Sequence, residues 1–205
     1  MRELMPGDAI PSLPERRETA LVVGYAPAVR SDVTAARLMR PDAVLIGAKY
    51  AAILYPEIEH VWTQHPEQAA DIRERAGRPI FIHAREYARK RKSRRRRILA
   101  QNAEHIDFFW PSLHWIEDSS GFAAALWARH GLGFRETILC GVPLLDDGYC
   151  PEIAAFKPVR FGDSFIGLDV LGKWRDLIAR YVSEGITAGI TSMSGWTREH
   201  LGSPC

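Results

Sequence analysis

The sequence predicts an α/β chain with a mostly parallel sheet and helices on both faces. Three observations carry this reading. Short runs of wholly apolar residues recur, each bounded by glycine or proline, as in strands buried on both faces. Helix-patterned stretches separate them, and small or hydroxyl residues stand where a strand would hand over to a helix.

Residues 1–18, with Pro6, Pro11 and Pro14, read as an irregular lead-in, and 19–205 as one domain. Thr19–Gly24 is the first strand, followed by a helix over Ser31–Met39 with Ser31 or Asp32 at its N-cap. Ala43–Gly47 and His60–Thr63 are the next strands, and Pro66 suits the first turn of a helix reaching Ala76. Ile80–His83 and Ile106–Trp110 continue the sheet, with an Ala-rich helix over Gly121–His130 and a strand over Glu136–Gly141 after them. Residues 142–168 are rich in Gly, Pro and Asp and read as a long loop or lid. A helix over Val170–Ser183, a last strand over Ile186–Thr191 and a short helix over Trp196–Leu201 complete a Rossmann-like alternation.

Composition excludes several classes. Hydrophobic residues make up 46% and charged residues 25%, outside the range of disordered chains. No stretch has the roughly 18 consecutive apolar residues of a membrane span, and the first residues lack a secretory core, so a cytoplasmic location is expected. Cys140, Cys150 and Cys205 form no CxxC pair and read as reduced thiols. Net charge is +2, but the thirteen residues Arg85–Arg97 hold nine Lys or Arg against Glu86, a local +8 over a remainder of −6. This segment, Arg94, Arg95, Arg96 and Arg97 above all, is a candidate contact for nucleic acid or an acidic protein surface; an internally balanced charge cluster is the plainer alternative.

In open parallel sheets ligands sit beyond the carboxyl ends of the strands. Gly24, Tyr25 and Ala26 follow the first strand at such a place, although the full GxGxxG pattern is absent and an ordinary turn reads equally well. Ser119, Ser120 and Gly121 open the Ala-rich helix with hydroxyls at the cap and a glycine that would let a ligand approach the backbone. Asp146 and Asp147 are candidates to hold Mg²⁺ against a nucleotide phosphate, with a solvated turn as the bland reading. His114, just before the serine loop, is the histidine to test as acid or base.

Ser119–Ala128, followed by Gly131–Leu144, resembles a segment of the bacterial sialyltransferases and of the MptE-like hydroxymethyl-dihydropterin pyrophosphokinases, with a looser resemblance over residues 20 to about 200. The resemblance implies a nucleotide site, for CMP-sugar in one family and for ATP with magnesium in the other. Ser192 and Ser194 resemble the Asn-Ser segment that closes the nucleotide pocket in the sialyltransferase-like fold. Tyr25, Ala26 and Ala28 stand where the families carry Asn, Gly and Ser, and Ala48 or Lys49 where they carry Asn after the second strand. The sialyltransferase histidine precedes the last long helix, whereas this chain has no histidine between His130 and His200.

Three functions compete on this evidence. The first is a transferase of glycosyl or diphosphate groups acting on a nucleotide or nucleotide-sugar. The second is a nucleotide-fold protein without catalysis, serving in binding or assembly. The third is a nucleic-acid binder acting through the basic run.

Overall fold

A computed structural model of the chain describes residues 2–3, 8–85, 98, 100–110, 119–156 and 168–205. Among these residues eight strands form one sheet: β1 Arg2–Glu3, β2 Thr19–Val23, β3 Val44–Ala48, β4 His60–Thr63, β5 Phe81–Arg85, β6 Phe108–Trp110, β7 Glu136–Cys140 and β8 Ile190–Ser192. Their order is β1-β6-β5-β4-β3-β2-β7-β8, and every pair is parallel. The chain therefore builds outward from β2 on one side and then jumps back to add β7 on the other. That reversal, between β2 and β7, is the topological switch point at which open parallel sheets open a crevice.

Alternation along the strands sends side chains to two cores. Ala20 and Val22 join one face with Trp62, Phe122, Trp127 and Ile178, while Leu21 and Val23 join the other with Val29, Val33 and Ile72. The first face is covered by α3 (Ser120–Leu126), α5 (Leu168–Ser183) and α6 (Gly195–Leu201); the second carries α1 (Val29–Met39), α2 (Ala69–Ala76) and α4 (Pro151–Ala154). Helices lie on both faces, as the sequence predicts. Each large apolar side chain so buried stabilises the fold by about 1.5–3 kcal/mol relative to exposure.

A polar chain runs through the first core. Trp110 Nε1–H donates to His83 Nδ1 at 3.1 Å, so the His83 proton sits on Nε2 and faces His60 Nδ1 at 3.0 Å. Burial lowers the pKa of His60 to about 4 and holds that of His83 well below its ordinary value, so both rings are neutral in the folded protein.

Several boundaries differ from the sequence reading for local reasons. Within the lead-in, Arg2–Glu3 pairs beside β6. Helix α1 begins at Val29, two residues early: Ser31 bonds the Ala28 carbonyl from inside the first turn, and Asp32 serves a distant loop rather than a cap. Pro66–Gln68 is a 3-10 turn before α2, and the Ala-rich helix ends in a wide π turn over Trp127–Gly131. Strand β8 starts only at Ile190, because Gly185 and Gly189 adopt left-handed φ of 72° and 82° and hold the intervening residues in turns. The loop after β7 contains α4, and α5 begins two residues before the expected start. Cys140 and Cys150 are buried free thiols and Cys205 is exposed. No described helix is long and apolar enough to cross a membrane.

Candidate functional site

A cavity of about 670 Å³ opens beyond the carboxyl ends of β2, β3, β4 and β7. The loop after β2 contributes Gly24, Tyr25 and Ala26, and the start of α3 contributes Ser119, Ser120 and Gly121. Both sequence-selected loops thus line one crevice at the switch point.

The floor at the switch point is built by close contact. Gly24 N–H bonds the Cys140 carbonyl at 2.8 Å, and Ala26 N–H bonds the Gly141 carbonyl at 3.2 Å. A Cβ on Gly24 would lie 2.3 Å from the Gly141 oxygen, and one on Gly121 only 2.7 Å from a Val142 methyl. Gly141 itself has φ of 67° and packs on Val29, where a Cβ would come within 2.6 Å of the Val29 Cβ. Gly121 lines the cavity, and its missing side chain makes room for Val142.

Ser119 acts as the N-cap of α3, its Oγ accepting from Phe122 N–H at 3.2 Å. Asp32, buried at the start of α1, ties the floor together. Its Oδ2 accepts from Gly141 N–H at 2.8 Å and from the Ser194 hydroxyl at 2.6 Å. Ser192 is buried against Thr197, with hydroxyls 2.8 Å apart, and Thr197 Oγ1 donates to the Val142 carbonyl at 2.7 Å. Ser192 and Ser194 accordingly sit behind the floor rather than on the cavity wall. They hold the Gly141–Pro143 loop that the ligand side presents.

The opposite wall is chemically different. Lys49 leaves β3 with a left-handed φ of 49° and is only 8% exposed. Beyond it, Tyr50 donates to Asp71 Oδ2 at 2.7 Å while Arg75 Nε donates to Asp71 Oδ1 at 2.7 Å. The Arg75 guanidinium also stacks 4.0 Å over the Phe156 ring, which meets Tyr50 edge-on at 5.3 Å. Tyr25 and Tyr149 form a second edge-on pair at 5.0 Å. Burial above all, and then the Asp71 hydrogen bond, raises the Tyr50 phenol; burial likewise raises Tyr25 and Tyr149. All three are donors at neutral pH. His65, after β4, stands on the wall with Nδ1 3.0 Å from Glu67 Oε1.

The sequence reading overlooked Tyr50, Asp71, Arg75 and Tyr149, and reached Lys49 only as a counterpart in a resemblance. The missed signal was positional: Lys49 follows the second strand at the edge where ligands sit.

Asp147 reaches the cavity wall from an exposed turn and Asp146 does not. Among the described residues no group of three His, Cys, Asp or Glu is placed to hold a metal ion. Of the two carboxylates only Asp147 lines the cavity, where a Mg²⁺ ion would need few protein ligands because waters and a nucleotide phosphate supply the rest. His114 and the basic run from Glu86 to Arg97, including Arg94–Arg97, lie outside the described residues.

No protein-family model matches the chain, and no curated protein matches it in sequence. Among solved structures its fold is similar to that of the sialyltransferase CST-II in complex with CMP, with a TM-score of 0.58 and 10% identity over 91% of this chain and 86% of that one. It is also similar to the MAf glycosyltransferase from Magnetospirillum magneticum AMB-1, with a TM-score of 0.52, 15% identity and 94% of this chain covered. This chain spans 33% of that structure. The likeness is one of fold.

Proposed function

We propose that the chain binds a nucleotide in this cavity, as the nucleotide part of a nucleotide-sugar, and transfers the sugar to an acceptor. The observation that carries the reading is the coincidence of a 670 Å³ crevice at the β2/β7 switch point with a fold similar to that of a CMP-bound sialyltransferase. Paired aromatic rings and neutral phenol donors suit a base or sugar ring, which needs an apolar body of contact and a few oriented hydrogen bonds.

Glycosyl transfer needs a group to take the acceptor's proton, and His65 is the residue we assign to it. With Nδ1–H donating to Glu67, Nε2 carries the lone pair of the neutral ring. The absence of any histidine between His130 and His200 favours the second reading, a binding protein of this fold without catalysis.

Calorimetry and thermal unfolding with CMP, UMP, AMP, GMP and their sugar conjugates test the binding claim. A ligand at one hundred times its Kd should stabilise the fold by about 2.7 kcal/mol, raising Tm by about 5–10 °C. No response to any nucleotide would sink it. Product analysis with the sugar conjugate that binds separates the readings. Turnover lost by about a hundredfold or more in His65→Gln, with nucleotide affinity kept, supports transfer; binding without turnover supports the inactive reading.

The basic run supports a separate contact with nucleic acid, proposed from its charge of +8 alone. Affinity that falls steeply with salt, with a flatter slope after Arg94–Arg97 are changed to serine, is the expected behaviour. No binding at low salt would remove this partner.

A further inference from the structure

We infer that Gln68, Asp71 and Arg75 form the face of the cavity that holds a sugar by its hydroxyl groups. The inference rests on the nucleotide-sugar reading for the ligand as a whole but not for the hydroxyl chemistry. Spacing comes first. The three residues stand at i, i+3 and i+7 along α2 and its N-cap, so they share one helix face, and all three line the cavity. Ala69 and Ile72, one residue further round, are buried in the core instead.

Preorganisation comes second. Asp71 is braced at both oxygens, by the Tyr50 hydroxyl and by Arg75 Nε, each at 2.7 Å, and the guanidinium lies 4.0 Å over the Phe156 ring. Asp71 engages Nε alone, and among the described residues neither Nη of Arg75 donates a hydrogen bond. A partly exposed pair of this kind adds little stability and costs the long side chain its freedom. A fork so fixed, with both Nη groups still to be used, suits a ligand that accepts hydrogen bonds. Gln68 is the third observation. Its Oε1 is shielded from solvent and accepts no hydrogen bond among the described residues. Buried polar atoms are otherwise paired, because an unmet acceptor costs stability. A shielded acceptor in a cavity wall calls for a donor on the ligand.

The combination selects the ligand class. Arg75 donates and Gln68 Oε1 accepts, and hydroxyls meet both, being donors and acceptors at once. An ionised phosphate brings acceptors alone and leaves Gln68 unmet. Position separates this face from the nucleotide as well. Helix α2 follows β4, two strands from β2, which at the usual strand spacing is about 10 Å from the switch point. The nucleotide belongs at the switch point, and the sugar end reaches the stripe. His65, assigned to take the acceptor's proton, stands at the same end, in the turn before α2.

Gln68→Leu and Arg75→Leu, titrated with UDP and UDP-glucose, GDP and GDP-mannose, and CMP and CMP-N-acetylneuraminate, test the assignment, with methyl glucoside, mannoside and galactoside followed by saturation-transfer NMR. On the native protein one conjugate should bind more tightly than its bare nucleotide, or one glycoside should show transfer. The first result puts the transferred sugar on the stripe, the second the acceptor. Both variants should weaken that conjugate or glycoside about tenfold, with bare nucleotide affinity kept within about twofold. Gln68→Leu should unfold at an equal temperature or about 2–4 °C higher, since it removes the unmet acceptor. Nucleotide and conjugate weakened together, through a base edge on the stripe or through damage to the fold, overturn the inference. So does a sugar bound equally by the native protein and either variant, or no sugar bound at all. Where neither bare nucleotides nor conjugates bind, the nucleotide reading fails by itself and the glycosides decide: transfer lost in both variants sustains the sugar face, and transfer kept or absent overturns it.

Discussion

The two walls of the cavity are built on opposite principles. At the switch point, Gly24, Gly121, Gly141 and Val142 meet with no room for an added atom, and Asp32, Ser194 and Thr197 use their polar groups to hold the fold. Across the cavity, Lys49, Tyr50, Asp71 and Arg75 put charge and hydrogen-bonding groups on the wall, partly in exposed pairs that add little to stability. The first wall shapes the cavity and the second gives it chemical preference. Mutations should therefore separate stability from binding according to the wall they touch.

The largest loss of stability is expected at Gly141. Gly141→Ala combines a left-handed backbone with overlap on Val29, and should destabilise by about 2–5 kcal/mol in denaturant unfolding. Asp32→Ala comes next. It strips acceptors from Gly141 N–H and the Ser194 hydroxyl and should cost about 2–3 kcal/mol, with Asp32→Asn recovering part of the loss because its amide oxygen still accepts. Near-native stability in either variant would dissolve the contrast between the walls.

Acid should weaken the fold through His60 and His83, away from both walls. The folded pKa values lie below the ordinary 6.5, with His60 at about 4, so the unfolded chain binds protons first as pH falls. Stability is complete above pH 6.5 and declines from there towards pH 4, by up to about 1.4 kcal/mol per pH unit for each ring. His60→Asn keeps an acceptor for His83 and should flatten that slope. An unchanged slope would mean that other groups set it.

The smallest effect on stability is expected at Asp71→Asn, under about 1 kcal/mol, because its pair with Arg75 is well exposed. Ligand affinity should respond more than stability there. A loss above about 2 kcal/mol would make that wall structural as well.

The difference between the walls also explains what the sequence disclosed. Strand runs such as Leu21–Val23 and Ile138–Cys140 carry their burial in their composition, so the parallel sheet and the loops at its carboxyl edge were legible. Gly24 and Gly121 were found because glycine beside a strand or helix start stands out. Their purpose was not legible, since the atoms they admit belong to Gly141 and Val142, distant in sequence. Asp71 and Arg75 follow no local pattern, and Lys49 carries only the signal of its place after a strand. Only the pairing of β3 beside β2, with α2 packed near the turn after β3, assembles them.

The most direct test is a crystal structure of the chain grown with CMP. The expected density places the nucleotide between the Gly24–Ala26 and Gly141–Tyr149 loops, its rings against the tyrosines. A nucleotide bound elsewhere, or one whose rings lie away from the tyrosines, would contradict the assignment of the two walls.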